Sequence, residues 1–492
     1  MGYFNAADMV PLLPALVFTV GAIAVLLSEV FLGKNPVRHY QPAITSVTCV
    51  GAAWAAMPML GAPSRMIFSG TAVADSFSAT ISLMVALGLL ISTLVAASFL
   101  HRHHVERGEF YALSLFAAAG MSLLALSSDL LMIFVSLEVM SVAVYALTAY
   151  LRRGARPSEA AFKYFLLGAF SSAVYLYGSA LLYGASGSTQ LHEIAHAASG
   201  SGLFTVGVIF VAAGFAFKVA AVPFHMWTPD VYEGAPTPVT AFMAVGVKAA
   251  AFAALLRVVV IAFPGIGGAA PVWGEIIVVL AVLTMLVGNL LAVPQRNVKR
   301  MLAYSSVAHA GYLLLGVAAA RGGSLTGEAG AGVLFYLFAY TATAAGAFAV
   351  VAALERDDPD SLAAWDLDRF AGLASRRPLM AAGMTIFMAS LAGIPPLAGF
   401  FGKLYIFTAA VDAHLYVAAV MGVLTSVIGA YYYLKVVVYM YMRPPEAHQV
   451  VAPTSMPLSA ALWIAAALTV WLGIGPGPLV ALAHASAVAI GG

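Results

Sequence analysis

The sequence predicts an all-α integral membrane protein of about fourteen transmembrane helices. Of its 492 residues, 62% are hydrophobic and only 9% are charged, whereas an ordinary soluble domain carries about 25% charged residues. About fourteen apolar runs approach or exceed the roughly 20 residues that a helix needs to cross a bilayer. Helices are expected because lipid offers no hydrogen-bond partner for backbone polar groups. The composition therefore excludes an ordinary globular enzyme.

The apolar runs divide the chain into spans with short connectors. We predict an N-terminal three-helix segment at 1–109, two blocks of five spans at 110–262 and 273–441, and a C-terminal helix within 457–492. The longest hydrophilic connector, Glu355 to Arg377, is too short to form a core of its own. The predicted spans are 10–32, 43–62, 77–100, 110–128, 129–151, 161–185, 203–220, 239–262, 273–293, 301–320, 329–353, 379–411, 414–441 and 457–482.

The distribution of positive charge predicts the topology. Fifteen of the 23 lysines and arginines lie in odd-numbered loops, two lie in even-numbered loops, and the rest fall inside spans. Cytoplasmic loops of membrane proteins carry the excess of lysine and arginine. We therefore expect a bacterial inner-membrane protein with its odd loops in the cytoplasm and both termini on the outer side.

Four charged residues fall inside predicted spans, so deep that their side chains could not easily reach the membrane interface. Glu138 follows Asp129 by nine residues, which places it about 13–14 Å into the membrane. Lys218, Lys248 and Lys403 lie in equally apolar surroundings. Each such charge costs at least about 2.5–3.5 kcal/mol on insertion scales, so several together indicate a function.

Lysine suits proton transfer because burial disfavours its charged form, whereas a nearby carboxylate favours that charged form. A lysine with a movable glutamate partner can therefore hold and release a proton. Sodium or potassium sites would favour carboxylates and carbonyls, but positive groups predominate here. The alternative is that the charges lock helices together or snorkel to the interface, which applies most to Lys163, Lys435 and Arg257 near span ends.

Two spans contain helix-breaking sequences. The seventh span ends in a proline-rich segment that begins at Pro223, and the twelfth contains Gly393-Ile394-Pro395-Pro396. Proline removes a backbone donor and glycine loosens the helix. Paired interruptions in two halves are typical of transporters with inverted repeats. We therefore predict broken helices at both places and an inverted repeat that relates the fourth to eighth spans with the ninth to thirteenth.

Three long motifs resemble one protein family. FHMWTPDVYEGAPTPV, NVKRMLAYSSVAHAGYLLLG and AGIPPLAGFFGKLYIF are similar to segments of the antiporter-like membrane subunits of proton-pumping NADH:quinone oxidoreductase, respiratory complex I. The resemblance covers nearly the whole chain. Fourteen spans, a lysine in the broken twelfth span and no long lateral helix at the C-terminus make it most similar to the N-type subunits.

The resemblance implies roles for individual residues. Glu138 matches the family's glutamate that partners the lysine of the broken seventh span, here Lys218. Lys248 matches the lysine that leads towards the centre of the subunit, and Lys403 matches the terminal lysine of the outward half-channel. Lys163 and His309 match supporting relay positions of the family. His225, which lies near Lys218, and Lys435 are added to the supporting relay from their own placement.

The resemblance also implies what lies outside this chain. No cofactor is expected here, since NADH, flavin, iron–sulfur clusters and quinone would bind other subunits. The expected partners are the other membrane subunits, protons with water, and membrane lipids, and nothing indicates nucleic acid. Two alternatives remain: a subunit of a related multi-subunit cation/proton antiporter, and a membrane scaffold without proton traffic.

Two further features do not indicate metal chemistry. Cys49 is the one cysteine of the chain, so a disulfide framework or a cysteine-based cluster built from this chain alone is excluded. The run His192-Glu193-Ile194-Ala195-His196 matches the H-E-x-x-H pattern of zinc proteases. It lies in a glycine- and serine-rich loop, whereas a zinc protease also needs a third ligand and an active-site cleft in a soluble domain. We therefore interpret it as a short helix on the outer surface.

Overall fold

The computed structural model describes residues 6–32, 40–151, 155–197, 201–263, 270–320, 324–355, 365–445 and 455–490. Within these ranges, eleven helices are long and apolar enough to cross a membrane, and three shorter apolar helices accompany them. The predicted all-α membrane class is therefore confirmed. The first half of the connector that follows Glu355, and six cations used for the topology, lie outside the described residues: Lys34, Arg38, Arg152, Arg153, Arg321 and Arg356.

The N-terminal third forms six long helices. After a 3-10 turn at Ala6–Leu12, the helices are α1 (Leu13–Leu32), α2 (Tyr40–Ala56), α3 (Ser76–Arg102), α4 (Gly108–Leu126), α5 (Leu130–Thr148) and α6 (Ala155–Ser186). The junction between α4 and α5 is as short as the sequence suggested. Asp129 begins α5 because its carboxylate accepts hydrogen bonds from the backbone amides of Leu131 and Met132.

The middle of the chain is more interrupted. Its helices are α7 (Leu191–Ala197), α8 (Gly202–Lys218), α9 (Trp227–Gly234), α10 (Thr237–Phe242), α11 (Lys248–Arg257), α12 (Ala270–Ala292) and α13 (Val298–Ala319). Two π-helical segments, Met243–Val247 and Val258–Ala262, flank α11. The short helix α7 contains the H-E-x-x-H run, as expected.

The C-terminal part begins with a 31-residue helix and ends with two helices where one was predicted. The elements are α14 (Ser324–Leu354), α15 (Leu373–Arg376), α16 (Pro378–Ala392), α17 (Ala398–Asp412), α18 (Tyr416–Met442), α19 (Met456–Ile474) and α20 (Gly477–Val488). The prediction of a single span at 457–482 was wrong because Gly475-Pro476-Gly477-Pro478 ends α19.

Both predicted breaks are present. Helix α8 ends at Lys218, and residues 219–226 are irregular up to α9. Helix α16 ends at Ala392, and α17 begins at Ala398. Gly393 adopts a left-handed conformation with φ 88°, which a residue with a Cβ atom rarely adopts. Each break therefore leaves helix ends and their unpaired backbone groups inside the bundle.

The centre of the bundle consists of the segment that contains α10 and α11 together with α13 and α14. The segment that contains α10 and α11 is buried along its whole apolar length, and α13 and α14 are almost completely buried. Close packing against α13 depends on glycine, since a Cβ atom on Gly288 of α12 would lie 2.5 Å from the backbone nitrogen of Ala308. Helices α1, α6, α12, α18 and α19 expose large apolar side chains on their outer faces.

The small sheet was not predicted. Arg65–Ile67 (β1) and Ala72–Ala74 (β2) form a small antiparallel sheet between α2 and α3. These strands have three residues each, which is too short for an alternating pattern to be recognised in a sequence.

Candidate functional site

Lys218 is the last residue of α8, next to the first break. Its side chain is buried, and its Nζ donates hydrogen bonds to Ser141 Oγ at 2.7 Å and Tyr145 Oη at 3.3 Å, both on α5. The amine lies 5.6 Å from the centre of the Tyr145 ring. Because a hydroxyl can both accept and donate, this surrounding tolerates an ammonium and a neutral amine.

Glu138 lies on α5 one turn before Ser141, so it is on the same side of that helix. It is partly exposed, and its Oε1 accepts a hydrogen bond of 2.5 Å from Ser172 Oγ on α6. None of the ion pairs between described residues joins Glu138 to Lys218. The hydroxyl of Ser141 thus holds Lys218, and the pairing of the two charges stays a prediction.

Lys248 is the first residue of α11, directly after a π-helical segment. Its Nζ is buried and lies 2.5 Å from both the backbone oxygen and Oγ of Ser306 on α13. It also lies 4.9 Å from the centre of the Tyr340 ring. Local π-helical geometry occurs frequently at functional sites, and here it places the lysine between the two central helices.

Lys403 lies on α17, after the second break, and it uses the helix end that the break creates. Its buried Nζ donates to the carbonyl oxygens of Leu391 at 2.9 Å and Ala392 at 3.0 Å. The last carbonyls of a helix have no partner within the helix, so they are free to bind this amine. Ser426 Oγ on α18 completes the surrounding at 2.6 Å.

His309 lies between Lys248 and Lys403 and connects their surroundings. Its Nδ1 is 2.5 Å from Tyr336 Oη, and its Nε2 is 2.9 Å from Tyr433 Oη. Its ring centre is 5.1 Å from that of Tyr340, which borders Lys248, and 5.7 Å from that of Tyr312.

Tyr312 in turn borders Lys403, whose Nζ lies 5.2 Å from the ring centre. Lys248, His309 and Lys403, with the tyrosines around His309, therefore form one buried polar row, hereafter the central row. The sequence predicted its two lysines and its histidine but not its tyrosines.

Lys163 lies in a different place, at the edge of the bundle. Its Nζ is 2.7 Å from a Glu159 oxygen and 2.9 Å from Asp230 Oδ2. Arg300 binds Asp230 and Glu233, each at 2.8 Å. These side chains line a cavity of about 210 Å³, so Lys163 belongs to a surface cluster of five charges.

His225 and Lys435 lie apart from the central row. His225 is half-buried in the irregular segment after α8, and its Nδ1 has no hydrogen-bond partner in the described part of the chain. Lys435 is partly buried, and its Nζ donates to the carbonyl oxygen of Gln295 at 3.3 Å, in the connector between α12 and α13. Their assignment to the relay stays a prediction.

Two buried cations were placed wrongly by the sequence. Arg257 was considered a candidate for snorkelling, but its side chain is 1% exposed and pairs with Asp75, which no motif indicated. Lys299 was counted as a loop residue, but it is buried, donates to the Ala235 carbonyl at 2.6 Å and lies over the Trp365 ring. Both errors arise because a long cationic side chain can turn into the protein where an acceptor or an aromatic face is available.

The buried lysines Lys218 and Lys403 lie beside the two helix breaks, and the central row extends from Lys403 to Lys248. Interrupted helices with buried charges beside them are typical of an antiporter-like membrane transport protein. Residues 127–429 match the family model described as NADH:quinone oxidoreductase/Mrp antiporter, transmembrane. The chain belongs to this family. The resemblance found in the sequence motifs is thereby confirmed.

Individual relatives agree with this assignment. The chain is 54% identical to NADH-quinone oxidoreductase subunit N of Myxococcus xanthus, with 96% of each chain covered. It is similar to a chain in respiratory complex I from Thermus thermophilus, with a TM-score of 0.80, 36% identity, and coverage of 96% of this chain and 99% of that one. A chain of the Mrp complex from Dietzia has the same fold, with a TM-score of 0.84, 23% identity, and coverage of 99% and 98%.

Proposed function

We propose that this chain is a proton-translocating membrane subunit of an NADH:quinone oxidoreductase. In that role it couples quinone reduction elsewhere in the complex to proton export, and it is a non-redox part of the enzyme. The observation that carries the proposal is the central row, since a buried amine, imidazole and tyrosine series can pass protons. The relatives named as subunit N support the same assignment.

The proposed path begins at the first break. A change that reaches Glu138 alters its attraction for Lys218, and Lys218 then releases a proton towards the centre of the subunit. Lys248 accepts this proton and gives up its hydrogen bonds to Ser306. His309 passes it on, because imidazole can accept a proton at one nitrogen and release another from the second nitrogen.

Lys403 is the last residue of the proposed path and releases the proton to the outer side. Its partners are two backbone carbonyls and one hydroxyl, and no carboxylate is among the hydrogen-bond acceptors within its described surroundings. An ammonium without a counter-ion is unfavourable in a buried place, so the charged state of Lys403 is suited to be transient.

The finer architecture follows from the two breaks. We infer fourteen spans in total, with α8–α9 and α16–α17 each crossing as one interrupted span. The blocks 110–262 and 273–441 then form the inverted repeat, and both termini lie on the outer side of a bacterial inner membrane. In this arrangement NADH, flavin, iron–sulfur clusters and quinone bind other subunits, and this chain binds no cofactor.

The test uses the intact complex in membrane vesicles. We expect Lys248→Ala to lower proton pumping, measured by quenching of a pH-sensitive dye, and to lower coupled quinone reduction as well. Quinone reduction should fall because it is coupled to the proton transfer that the variant blocks. Arg107→Ala is the control, since Arg107 is exposed and lies outside the row. Normal pumping by an assembled Lys248→Ala complex would overturn the proposal.

The cation/proton antiporter remains a second candidate, because the matched family model includes Mrp antiporters and the Dietzia chain shares the fold. Affinity purification through this chain distinguishes the two. Recovery of NADH-oxidising subunits is expected here, whereas recovery of membrane subunits alone, with sodium-dependent proton exchange, would favour the antiporter.

A further inference from the structure

Ser390 joins the two helix ends at the second break. It lies on α16, two residues before that helix ends, and its side chain is fully buried. The backbone amide of Gly399, in the first turn of α17, donates a hydrogen bond to Ser390 Oγ at 3.0 Å. We propose that Ser390 is a positioning residue for Lys403, because it fixes the start of α17 against the end of α16. This inference rests on the proposed function of Lys403.

The amide of Gly399 needs a partner from outside its own helix. The first amides of a helix have no acceptor within that helix, and a polar side chain at the residue before the helix commonly supplies one. Leu397 is the residue before α17 and has no polar side chain. Ser390 therefore caps α17 from the neighbouring helix, and the capping hydrogen bond spans the break.

The hydroxyl of Ser390 has a defined direction. Thr343 on α14 donates its own hydroxyl hydrogen to the carbonyl oxygen of Ala339 at 2.7 Å, and its Oγ1 lies 3.1 Å from Ser390 Oγ. A hydroxyl has one hydrogen and two acceptor lone pairs. Ser390 therefore donates to Thr343 and accepts from Gly399, so the buried helix α14 orients the hydroxyl that holds the break.

Lys403 spans the same break by a second contact. It follows Gly399 by four residues, about one turn of α17. Its Nζ donates to the carbonyl oxygens of Leu391 at 2.9 Å and Ala392 at 3.0 Å, and these two residues directly follow Ser390. A shift of α17 by about 1 Å away from α16 would take both distances beyond the ordinary range of about 2.7–3.2 Å. The hydrogen bonds of the amine therefore depend on the hydroxyl.

Packing around the break limits movement in the opposite direction. A Cβ atom on Gly399 would overlap the carbonyl oxygen of Ser390, and a Cβ atom on Gly473 of α19 would overlap the carbonyl oxygen of Pro396. Backbone already touches backbone at both places, so the helix ends cannot come closer. Removal of the Ser390 hydroxyl therefore leaves α17 free to move only away from α16.

The experiment compares Ser390→Ala with Ser114→Ala in the intact complex. Ser114 is also a buried helical serine, but its hydroxyl donates to the carbonyl of Phe110 in its own helix, α4. Hydrogen exchange of a peptide that covers residues 397–403, followed by mass spectrometry, reports on the start of α17. We expect roughly tenfold faster exchange in Ser390→Ala, because loss of one hydrogen bond changes local opening by about that factor. Exchange should be unchanged in Ser114→Ala, and unchanged exchange in Ser390→Ala would overturn the proposal.

Proton pumping per assembled complex is measured on the same samples by dye quenching in vesicles. It should fall several-fold in Ser390→Ala, and Ser390→Thr should restore it because threonine returns the hydroxyl. A role in folding alone would lower the amount of complex and leave pumping per complex unchanged. That result would also overturn the proposal.

Lys403→Ala distinguishes this inference from the proposed function. If Lys403→Ala loses pumping and Ser390→Ala pumps normally, only the positioning role is rejected, whereas normal pumping in Lys403→Ala would reject the proposed path as well. Ser390→Cys covers the case in which Ser390→Ala does not assemble, because a thiol fills the space and accepts hydrogen bonds only weakly. Its pumping per complex should be intermediate. Failure of both variants to assemble would assign Ser390 to folding and overturn the proposal.

Discussion

Arg257 and Asp75 form an ion pair in which Nη1 lies 2.8 Å from Oδ2, with side chains that are 1% and 0% exposed. Asp75 also begins α3 by accepting a hydrogen bond from the Ser78 amide at 2.8 Å. Arg257 donates to the carbonyl of Ala125, at the end of α4, at 3.0 Å. The pair therefore joins α3, α4 and α11 at one point. Since α11 begins with Lys248, this pair fixes the helix that carries the central lysine.

The first prediction concerns that pair. Asp75→Asn should lower the free energy of unfolding by about 3–5 kcal/mol, because it leaves the Arg257 charge buried without a counter-ion. The thermal stability of the purified complex and the amount of this subunit in membranes measure the effect.

Replacement of the pair by Asp75→Leu with Arg257→Met should recover much of that stability, because no charge remains buried. If the double variant is stable and pumps normally, the pair is structural. A stable double variant that does not pump would instead place the pair in the proton path.

The sequence predicted the elements that composition and breakers define. Proline and glycine determine both interruptions, so Pro223 and the Gly393–Pro396 run located the broken helices correctly. Asp129 was recognisable as a boundary because it is the one acidic residue between two apolar runs. A lysine in the middle of an apolar span was equally visible, which is why Lys218, Lys248 and Lys403 were found.

The tertiary partners of these residues were not visible in the sequence. Tyr433 is one of three consecutive tyrosines, and the sequence does not show which of them faces His309. Asp75 precedes a serine-rich helix start, which predicts an N-cap but not the partner 182 residues away. Lys163 lies in an apolar span like the other lysines, yet the neighbouring Asp230 draws it to the surface cluster.

The second prediction concerns Glu138. Glu138→Gln should lower proton pumping several-fold while the complex still assembles. Glutamine keeps the shape and can still accept the hydrogen bond from Ser172, but it removes the charge. Dye quenching in vesicles and quinone reduction measure the effect.

Glu159→Gln is the matched control for this variant. Glu159 is a carboxylate that pairs with Lys163, but it is 61% exposed and an exposed pair contributes little. Loss of assembly in Glu138→Gln, with normal pumping by what remains, would support a scaffold role instead.

The third prediction tests the connection through His309. Tyr433→Phe removes the hydroxyl that bonds His309 Nε2 and Ser305 Oγ. We expect pumping to fall several-fold, because one step of the central row loses its hydroxyl. A buried group left without its partner also costs about 1–3 kcal/mol, so stability must be measured alongside pumping.

Tyr432→Phe separates these two effects. Tyr432 is buried like its neighbour, but its hydroxyl donates to Asn289 Oδ1 at 3.0 Å. This variant should lose comparable stability and keep most of its pumping. Equal pumping in the two variants would show that the Tyr433 hydroxyl has no part in the path.

The last prediction concerns whether Lys248 carries a proton or only a charge. Lys248→Arg keeps a positive charge and a long side chain, but guanidinium does not deprotonate in the accessible range of pH. The buried Nζ lies against the backbone oxygen and Oγ of Ser306, and a guanidinium can donate to both. The variant is therefore expected to assemble, yet to lose most of its proton pumping at every pH tested. Dye quenching across a series of pH values, with assembly checked by native electrophoresis, measures this. Pumping at the wild-type rate would show that Lys248 is a fixed charge, and the path from Lys218 to His309 would then have to pass through other groups.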